Sequence, residues 1–204
     1  MNDFPENPRF WFAKSWADKL LLHFGIQYLP FSMLAVLQHT KCHVYTYRQM
    51  SLVTRRSIDD IICDVRSKKG HAYKQGHEYF ILYNSDRPIR GEVRWTLAHE
   101  LGHIVLGHLD DYTAKQLAHI SKEDYRTLER EANAFAAEFL APASVLYAIG
   151  AKDAASIQSA CMLSKEASSI REKLFQSIHE GYYLNATETR IVRRFDSFIH
   201  GVVA

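Results

Sequence analysis

Two histidines separated by three residues constrain this chain more than any other feature of its sequence. His99 and His103 lie about one helical turn apart, because four steps of about 100° bring a helix nearly back to the same face. Glu100 directly follows the first histidine. Two imidazoles at this spacing can bind one metal ion, and a glutamate at this position is aimed at the open side of that ion, as a general base. The pattern therefore predicts a metal site on a helix.

The neighbouring residues favour a helix over residues 94–107. Apolar residues recur there at steps of three and four, and the polar residues of the histidine pattern form a separate stripe. Gly107 is placed to end the helix. The alternative is a pair of ordinary histidines on a surface or buried helix, because a five-residue pattern with two free positions also occurs by chance.

A catalytic zinc site needs a third protein ligand and an open position for water or substrate. His108 is one candidate, since it follows the second histidine closely. The extended metzincin pattern would require a glycine and a histidine where this chain has Leu106 and Leu109. That spacing argues against His108, which is more typical of a residue at a helix end.

Glu131 is the other candidate for the third ligand. It lies in a second predicted helix, residues 128–140, at the border of that helix's apolar stripe. A carboxylate drawn below the surface is costly unless it is paired or bound to metal. A solvated partner of a nearby arginine is the alternative, but the unfilled ligand position leads us to favour Glu131. Its neighbours Glu129 and Glu138 are predicted to face solvent.

Residues 94–108, followed by residues 129–142, closely resemble the ImmA/IrrE family of bacterial and phage metallopeptidases, and both blocks match in order and spacing. The resemblance implies a small gluzincin-like peptidase with His99, His103 and Glu131 as zinc ligands and Glu100 as catalytic base. The family commonly has a methionine where this chain has Ala141. The long carboxy-terminal sensor domain of the radiation-response members does not fit in the remaining length, which favours the compact, ImmA-like kind.

The resemblance also implies a function. The usual substrate of the family is a helix-turn-helix repressor whose cleavage switches on the genes of a mobile element or a stress response. We therefore expect a zinc metalloendopeptidase that cleaves such a repressor. The alternative is a regulatory binding protein that sequesters a repressor or toxin without cutting it, but such a protein has no need for Glu100. Manganese or iron can occupy the same ligand set as zinc.

The tetrahedral oxyanion of peptide hydrolysis also needs a hydrogen-bond donor from the protein. The sequence offers several: Tyr83, His108, His119 and Tyr125. It does not choose among them.

The order of predicted elements indicates an α+β fold of the minimal zincin-like kind. Helices are predicted over residues 10–24 and from residue 31, then strands at 42–47, 60–65 and 78–83 in a small antiparallel sheet, and then the two metal-bearing helices. Residues 79–83 are a candidate edge strand that binds substrate as an added strand, and an interior strand is the alternative.

The rest of the chain is predicted to be helical. Residues 154–175 resemble a helix-turn-helix with Ser164 as a cap, but their balanced charges favour packing or protein docking over DNA binding. Residues 185–203 have the pattern of an amphipathic helix. We therefore predict a metallopeptidase core over residues 1–142 and a helical extension over residues 143–204 that packs on it.

Composition excludes several classes of protein. Apolar residues make up 47% of the 204 residues, which suits one substantial core. No apolar run reaches the roughly 20 residues of a membrane span, and the amino terminus lacks a signal-peptide pattern, so we expect a cytoplasmic protein with no membrane partner. Three separated cysteines support neither a disulfide framework nor a cysteine zinc site. A net charge of +2 gives no case for nucleic-acid binding.

Overall fold

The computed structural model describes residues 4–86, 90–112, 117, 119–176 and 183–203. Within these ranges it contains eleven helices and three strands. In chain order they are α1 (Phe10–His23), α2 (Met33–Gln38), β1 (Cys42–Thr46), α3 (Tyr47–Thr54), α4 (Ile58–Val65), β2 (Gly70–Gln75), β3 (Glu78–Tyr83), α5 (Arg90–Val105), α6 (Lys122–Leu140), α7 (Ala143–Ala148), α8 (Ala154–Cys161), α9 (Lys165–Gln176), α10 (Ala186–Arg194) and α11 (Asp196–Val203). The chain has the predicted α+β, zincin-like fold.

Several predicted helix boundaries are confirmed. Ser32 caps α2 by accepting a hydrogen bond from Ala35 N, and Ser164 does the same for Ala167 N in the turn before α9. Gly107 has a φ of +80°, which suits a glycine just beyond the end of α5. Residues 185–203 form two consecutive helices, α10 and α11, instead of one.

The sheet differs from its prediction in two respects. Its strand order is β1-β3-β2, with β1 parallel and β2 antiparallel to β3, so the sheet is mixed and not wholly antiparallel. Residues 60–65 lie in α4 and are not a strand. The apolar residues of α4 follow helical steps of three and four, and Ser57 with Asp60 forms a capping box at its start.

The predicted substrate-binding edge is also wrong. Residues 79–83 belong to β3, which is the central strand, so the interior alternative is correct. The sheet has two edge strands, β1 and β2, and β2 is the one that packs next to α5. It was missed because Gly70 and Gly76 at its two ends are typical of turns.

Helices α5 and α6 cross at close range. A Cβ atom on Gly102 of α5 would lie 3.0 Å from Phe135 Cδ1 and 3.3 Å from the carbonyl oxygen of Ala132, both in α6. Phe135 is fully buried and stacks on Phe139. The glycine therefore allows the two helices to approach closely, and this approach brings the polar faces of α5 and α6 together.

Residues from both parts of the predicted division at residue 142 share one hydrophobic core, for example Leu21, Phe135 and Phe175. Arg94 of α5 donates a hydrogen bond to the carbonyl oxygen of Cys161 at 2.7 Å, which joins α5 to the end of α8. The division into a core and a helical extension stays a prediction.

A buried ionic network joins α1, α6, α9 and α10. Lys14 Nζ lies 2.7 Å from a carboxylate oxygen of Asp18, 2.7 Å from Glu188 and 3.4 Å from Glu138. Arg171 binds the other oxygen of Glu138 at 2.8 Å. Glu138, predicted to face solvent, is 2% exposed, because these two cations and the backbone N–H of Ala143 satisfy its carboxylate.

None of the helices described is long and apolar enough to cross a membrane.

Candidate metal centre

The two histidines of the sequence pattern face each other on α5. His99 Nε2 and His103 Nε2 are 3.1 Å apart, and both side chains are largely buried. The spacing of four residues produces this arrangement, as predicted, because it places both rings on one face of the helix. The two Nε2 atoms open into a cleft between α5, α6 and the sheet.

Glu129 of α6 supplies the carboxylate at this place. Its two oxygens lie 3.4 Å from His99 Nε2 and 3.2 Å from His103 Nε2. Together the three side chains form a group whose ligand atoms all lie within 4.8 Å of one another. Glu129 was predicted to face solvent, and that prediction is wrong because the close crossing of α5 and α6 turns it towards the histidines.

The structure does not bring Glu131, the predicted third ligand, to the two Nε2 atoms. Two residues along a helix correspond to a rotation of about 200°, so Glu129 and Glu131 leave α6 in nearly opposite directions. Glu131 is fully buried and accepts hydrogen bonds from Arg9 and His108. Its bonds to His108 and Arg9 outweigh burial and lower the pKa of its carboxyl to about 2.

Each histidine is held through its second ring nitrogen. His99 Nδ1 lies 3.1 Å from Asn133 Oδ1 on α6, and His103 Nδ1 lies 2.9 Å from His108 Nδ1. Contacts of this kind to the second ring nitrogen are what orients histidine ligands in metal sites. Asn133 is four residues beyond Glu129, so a single face of α6 provides both the carboxylate and the contact that orients His99.

The donor set fits a divalent cation. An amide oxygen can only accept, so His99 donates from Nδ1, and its Nε2 is the atom that faces His103 Nε2 and the Glu129 carboxylate. Burial first, and then the neighbouring rings of His99 and His108, lower the pKa of His103 to about 4, although Glu129 opposes this. Burial alone would lower the pKa of His99, but the hydrogen bond to Glu129 and the charges of Glu100 and Glu129 raise it. Two imidazoles and a carboxylate are typical zinc ligands.

Glu100 lies beside this group and faces β2. It is 8% exposed, and its Oε2 accepts a hydrogen bond of 2.7 Å from the backbone N–H of Ala72. Burial raises the pKa of its carboxyl to about 7, which suits a group that must both take up and release a proton near neutral pH.

The cleft has a volume of about 680 Å³. Its floor is formed by α5 and α6, one wall by β2 with the turn before it, and the other wall by α9. The residues that contribute to the two walls include Lys69, His71, Glu166 and Ile170. This cleft can accept a segment of polypeptide across the candidate metal centre.

Only some of the predicted oxyanion donors reach the cleft. Tyr125 and His108 line it, whereas Tyr83 is buried in the sheet and His119 is exposed. Tyr125 lies one turn before Glu129 on α6. Burial first, and then the Glu129 carboxylate, raise the pKa of the Tyr125 hydroxyl to about 12, so this hydroxyl stays protonated at neutral pH and can donate a hydrogen bond.

Comparison with known families agrees with this geometry. The family model for peptidase M78, described as the IrrE N-terminal-like domain, matches residues 53–171, which include β2, the cleft, α5, α6 and most of α9. The chain belongs to the M78 peptidase family. The ImmA/IrrE resemblance is therefore confirmed. Neither the curated proteins nor the solved structures gave a match.

The family match and the geometry of the site support one another. M78 peptidases are metallopeptidases, and His99, His103 and Glu129 form a cluster that could hold the metal. The residues predicted for the site did not include Glu129 and Asn133. The sequence does contain a pattern that links them: Tyr125, Glu129 and Asn133 recur at steps of four, which a helix places on one face.

Proposed function

We propose that this M78 peptidase is a zinc-dependent endopeptidase in which His99, His103 and Glu129 hold the metal and Glu100 is the catalytic base. The observation that carries this proposal is the convergence of two Nε2 atoms and one carboxylate within 4.8 Å, with Glu100 buried beside them. When bound, Zn²⁺ supplies a Lewis acid that polarises the substrate carbonyl and makes a water molecule acidic enough to react at neutral pH.

Glu100 takes the proton of the attacking water and later delivers it to the amine that leaves. A pKa near 7 supports both steps, because the carboxylate is neither too weak a base nor too weak an acid. The hydrogen bond from Ala72 N to Oε2 fixes the carboxylate and leaves Oε1 for proton transfer. Tyr125 is our preferred donor to the oxyanion, since its hydroxyl is protonated and lies at the cleft.

We propose a helix-turn-helix repressor as the substrate, cleaved at one site in the cytoplasm to derepress mobile-element or stress genes. The substrate class rests on the ImmA/IrrE resemblance. The cleft adds a physical argument: the edge strand β2 borders it, and an extended segment of the substrate can pair with such an edge. We therefore propose β2, and not β3, as the strand with which the substrate pairs.

Incubation with the repressor encoded nearest to the gene tests the proposal. The purified, zinc-loaded protein should produce one discrete fragment by mass spectrometry, and Glu100→Gln should produce none while still binding zinc. Glu123→Gln on the exposed start of α6 is the matched control and should cleave normally. Cleavage by Glu100→Gln would contradict the role of Glu100, and a stable complex with uncut repressor would support the binding-protein alternative.

A further inference from the structure

A buried chain of polar contacts connects the candidate metal centre to the segment before α1. His103 Nδ1 contacts His108 Nδ1 at 2.9 Å, and His108 Nε2 contacts Glu131 Oε2 at 3.0 Å. Glu131 in turn accepts hydrogen bonds from Arg9 through the backbone N–H at 2.6 Å, Nε at 2.9 Å and a terminal guanidinium nitrogen at 2.9 Å. His108 is 1% exposed and Glu131 is fully buried, so water does not compete for these bonds.

The direction of each hydrogen bond follows from the acceptor at the end of the chain. Glu131 is paired with the Arg9 guanidinium at 2.9 Å, and a carboxylate held in this way accepts, so His108 donates from Nε2. Of the two Nδ1 atoms that meet at 2.9 Å, one donates and the other accepts. Because His108 already donates from Nε2, its Nδ1 is assigned as the acceptor and His103 donates from its own Nδ1. His103 is thereby left with a lone pair on Nε2, the atom that faces His99 and Glu129. This series of polar contacts therefore selects the one tautomer of His103 that can bind a metal at this place.

Arg9 completes the chain. A buried carboxylate without a cation would be costly, and Arg9 is the cation that contacts Glu131 in the described part of the chain. The bidentate guanidinium and the backbone N–H together fix both oxygens of Glu131, so the carboxylate cannot rotate away from His108.

We propose that His108, Glu131 and Arg9 act as positioning residues that set the tautomer and orientation of His103, so that metal retention depends on the segment before α1. This inference rests on the metal centre of the proposed function. Neither His108 nor Glu131 contacts the metal in this scheme. Loss of an orienting contact of this kind typically lowers metal affinity by about 10–100-fold.

Glu131→Gln is the test variant, and Glu138→Gln is its matched control. Both glutamates are buried on α6 and both bind an arginine, but the Glu138 network leads to Arg171 and Lys14 and does not reach a histidine of the centre. Zinc affinity, measured by competition with a chromophoric chelator, should fall about 10–100-fold in Glu131→Gln and stay within about twofold of the unmodified protein in Glu138→Gln.

A second measurement reports on the tautomer directly. Long-range ¹H–¹⁵N correlation spectra of the metal-free protein should show His103 protonated on Nδ1, and Glu131→Gln should show a mixture of the two neutral tautomers. The absorption spectrum of the Co²⁺-loaded variant should change as well, because the spectrum reports ligand geometry. Arg9→Ala changes the partly exposed last residue of this series of contacts, so it tests the same idea even where Glu131→Gln does not fold. It should lower the zinc affinity and mix the tautomers of His103 in the same direction as Glu131→Gln.

The outcomes separate the two proposals. An unmodified protein that takes up no stoichiometric metal would overturn the metal centre and this inference with it. Metal uptake by the unmodified protein, together with unchanged affinity and an unchanged His103 tautomer in folded Glu131→Gln or Arg9→Ala, would overturn the positioning role alone.

Discussion

Gly70, the first residue of β2, lies so close to Thr96 of α5 that a Cβ atom has no room beside the Thr96 methyl group. The same Cβ would approach the carbonyl oxygen of Leu82 to 3.1 Å and Glu100 Cγ to 3.5 Å. The contact between these two residues therefore sets the distance between the edge strand and the helix that carries Glu100.

Gly70→Ala is expected to destabilise the fold by about 1–3 kcal/mol, because the added methyl overpacks a contact with fixed neighbours. It should also weaken cleavage by displacing Glu100. Thr96→Ser removes the opposing methyl group and should restore much of the stability of Gly70→Ala. Chemical denaturation of the single and double variants measures this, and additive effects in the double variant would contradict the direct contact.

Glu129 provides a test of ligand identity. Glu129→Gln should lose zinc binding, because it removes the only carboxylate among the three atoms that converge. Zinc in 100-fold excess over its dissociation constant should stabilise the unmodified protein by about 2.7 kcal/mol, and chelation should remove that gain. Thermal unfolding with and without zinc measures the difference, which should vanish in Glu129→Gln and persist in Glu123→Gln.

The helices, including α5 with its two histidines, could be predicted from sequence because the patterns that specify them lie within a few neighbouring residues. The spacing of His99 and His103 fixes their common face, and capping residues such as Ser32 and Ser164 mark where helices begin. The ligand on α6 could not be chosen in this way. The apolar stripe of α6 favours Glu131, which borders it, over Glu129. Which glutamate meets the histidines depends instead on how α6 is rotated against α5, and the close packing at Gly102 contributes to that rotation.

The sheet shows the same limit. Residues 60–65 combine β-branched residues with a helical spacing, and the capping box at Ser57 decides for a helix. The strand β2 contains glycine, histidine, lysine and glutamine, so its own residues favour a strand only weakly. It is stabilised by pairing with β3 and by contact with α5, neither of which is visible in a short window of sequence.

Tyr125 and Tyr83 separate a role in catalysis from a role in structure. Tyr125→Phe should lower kcat by about 100-fold with little change in KM, because an oxyanion donor acts mainly in the transition state. Tyr83→Phe should leave both constants nearly unchanged, since Tyr83 is buried in the sheet and does not line the cleft. Steady-state kinetics on a peptide that spans the cleaved bond measures the two variants. Equal losses in both would contradict the assignment of Tyr125.

Asp18 makes the stability of the fold depend on pH. In the described part of the chain, the ion pairs of the buried network join three carboxylates, Asp18, Glu138 and Glu188, to the cations Lys14 and Arg171. Burial first, and then the charge of Glu138, raise the pKa of the Asp18 carboxyl to about 7, although Lys14 opposes this. An acid whose pKa is raised on folding binds its proton more tightly in the native state, so it destabilises the fold as pH rises from about 4 to about 7.

Asp18→Asn should therefore raise the melting temperature at pH 9, where Asp18 is ionised, and should have no such benefit at pH 5, where it is protonated. Each unit of pKa shift corresponds to about 1.4 kcal/mol, and about 1 kcal/mol corresponds to 2–4 °C for a chain of this size, so an increase of several degrees is expected. Asp153→Asn, at the exposed start of α8, is the control and should show no gain at pH 9, because ionised Asp153 is stabilised there by the hydrogen bond from Ser156 N. An equal gain for Asp18→Asn at both pH values would contradict the titration of Asp18.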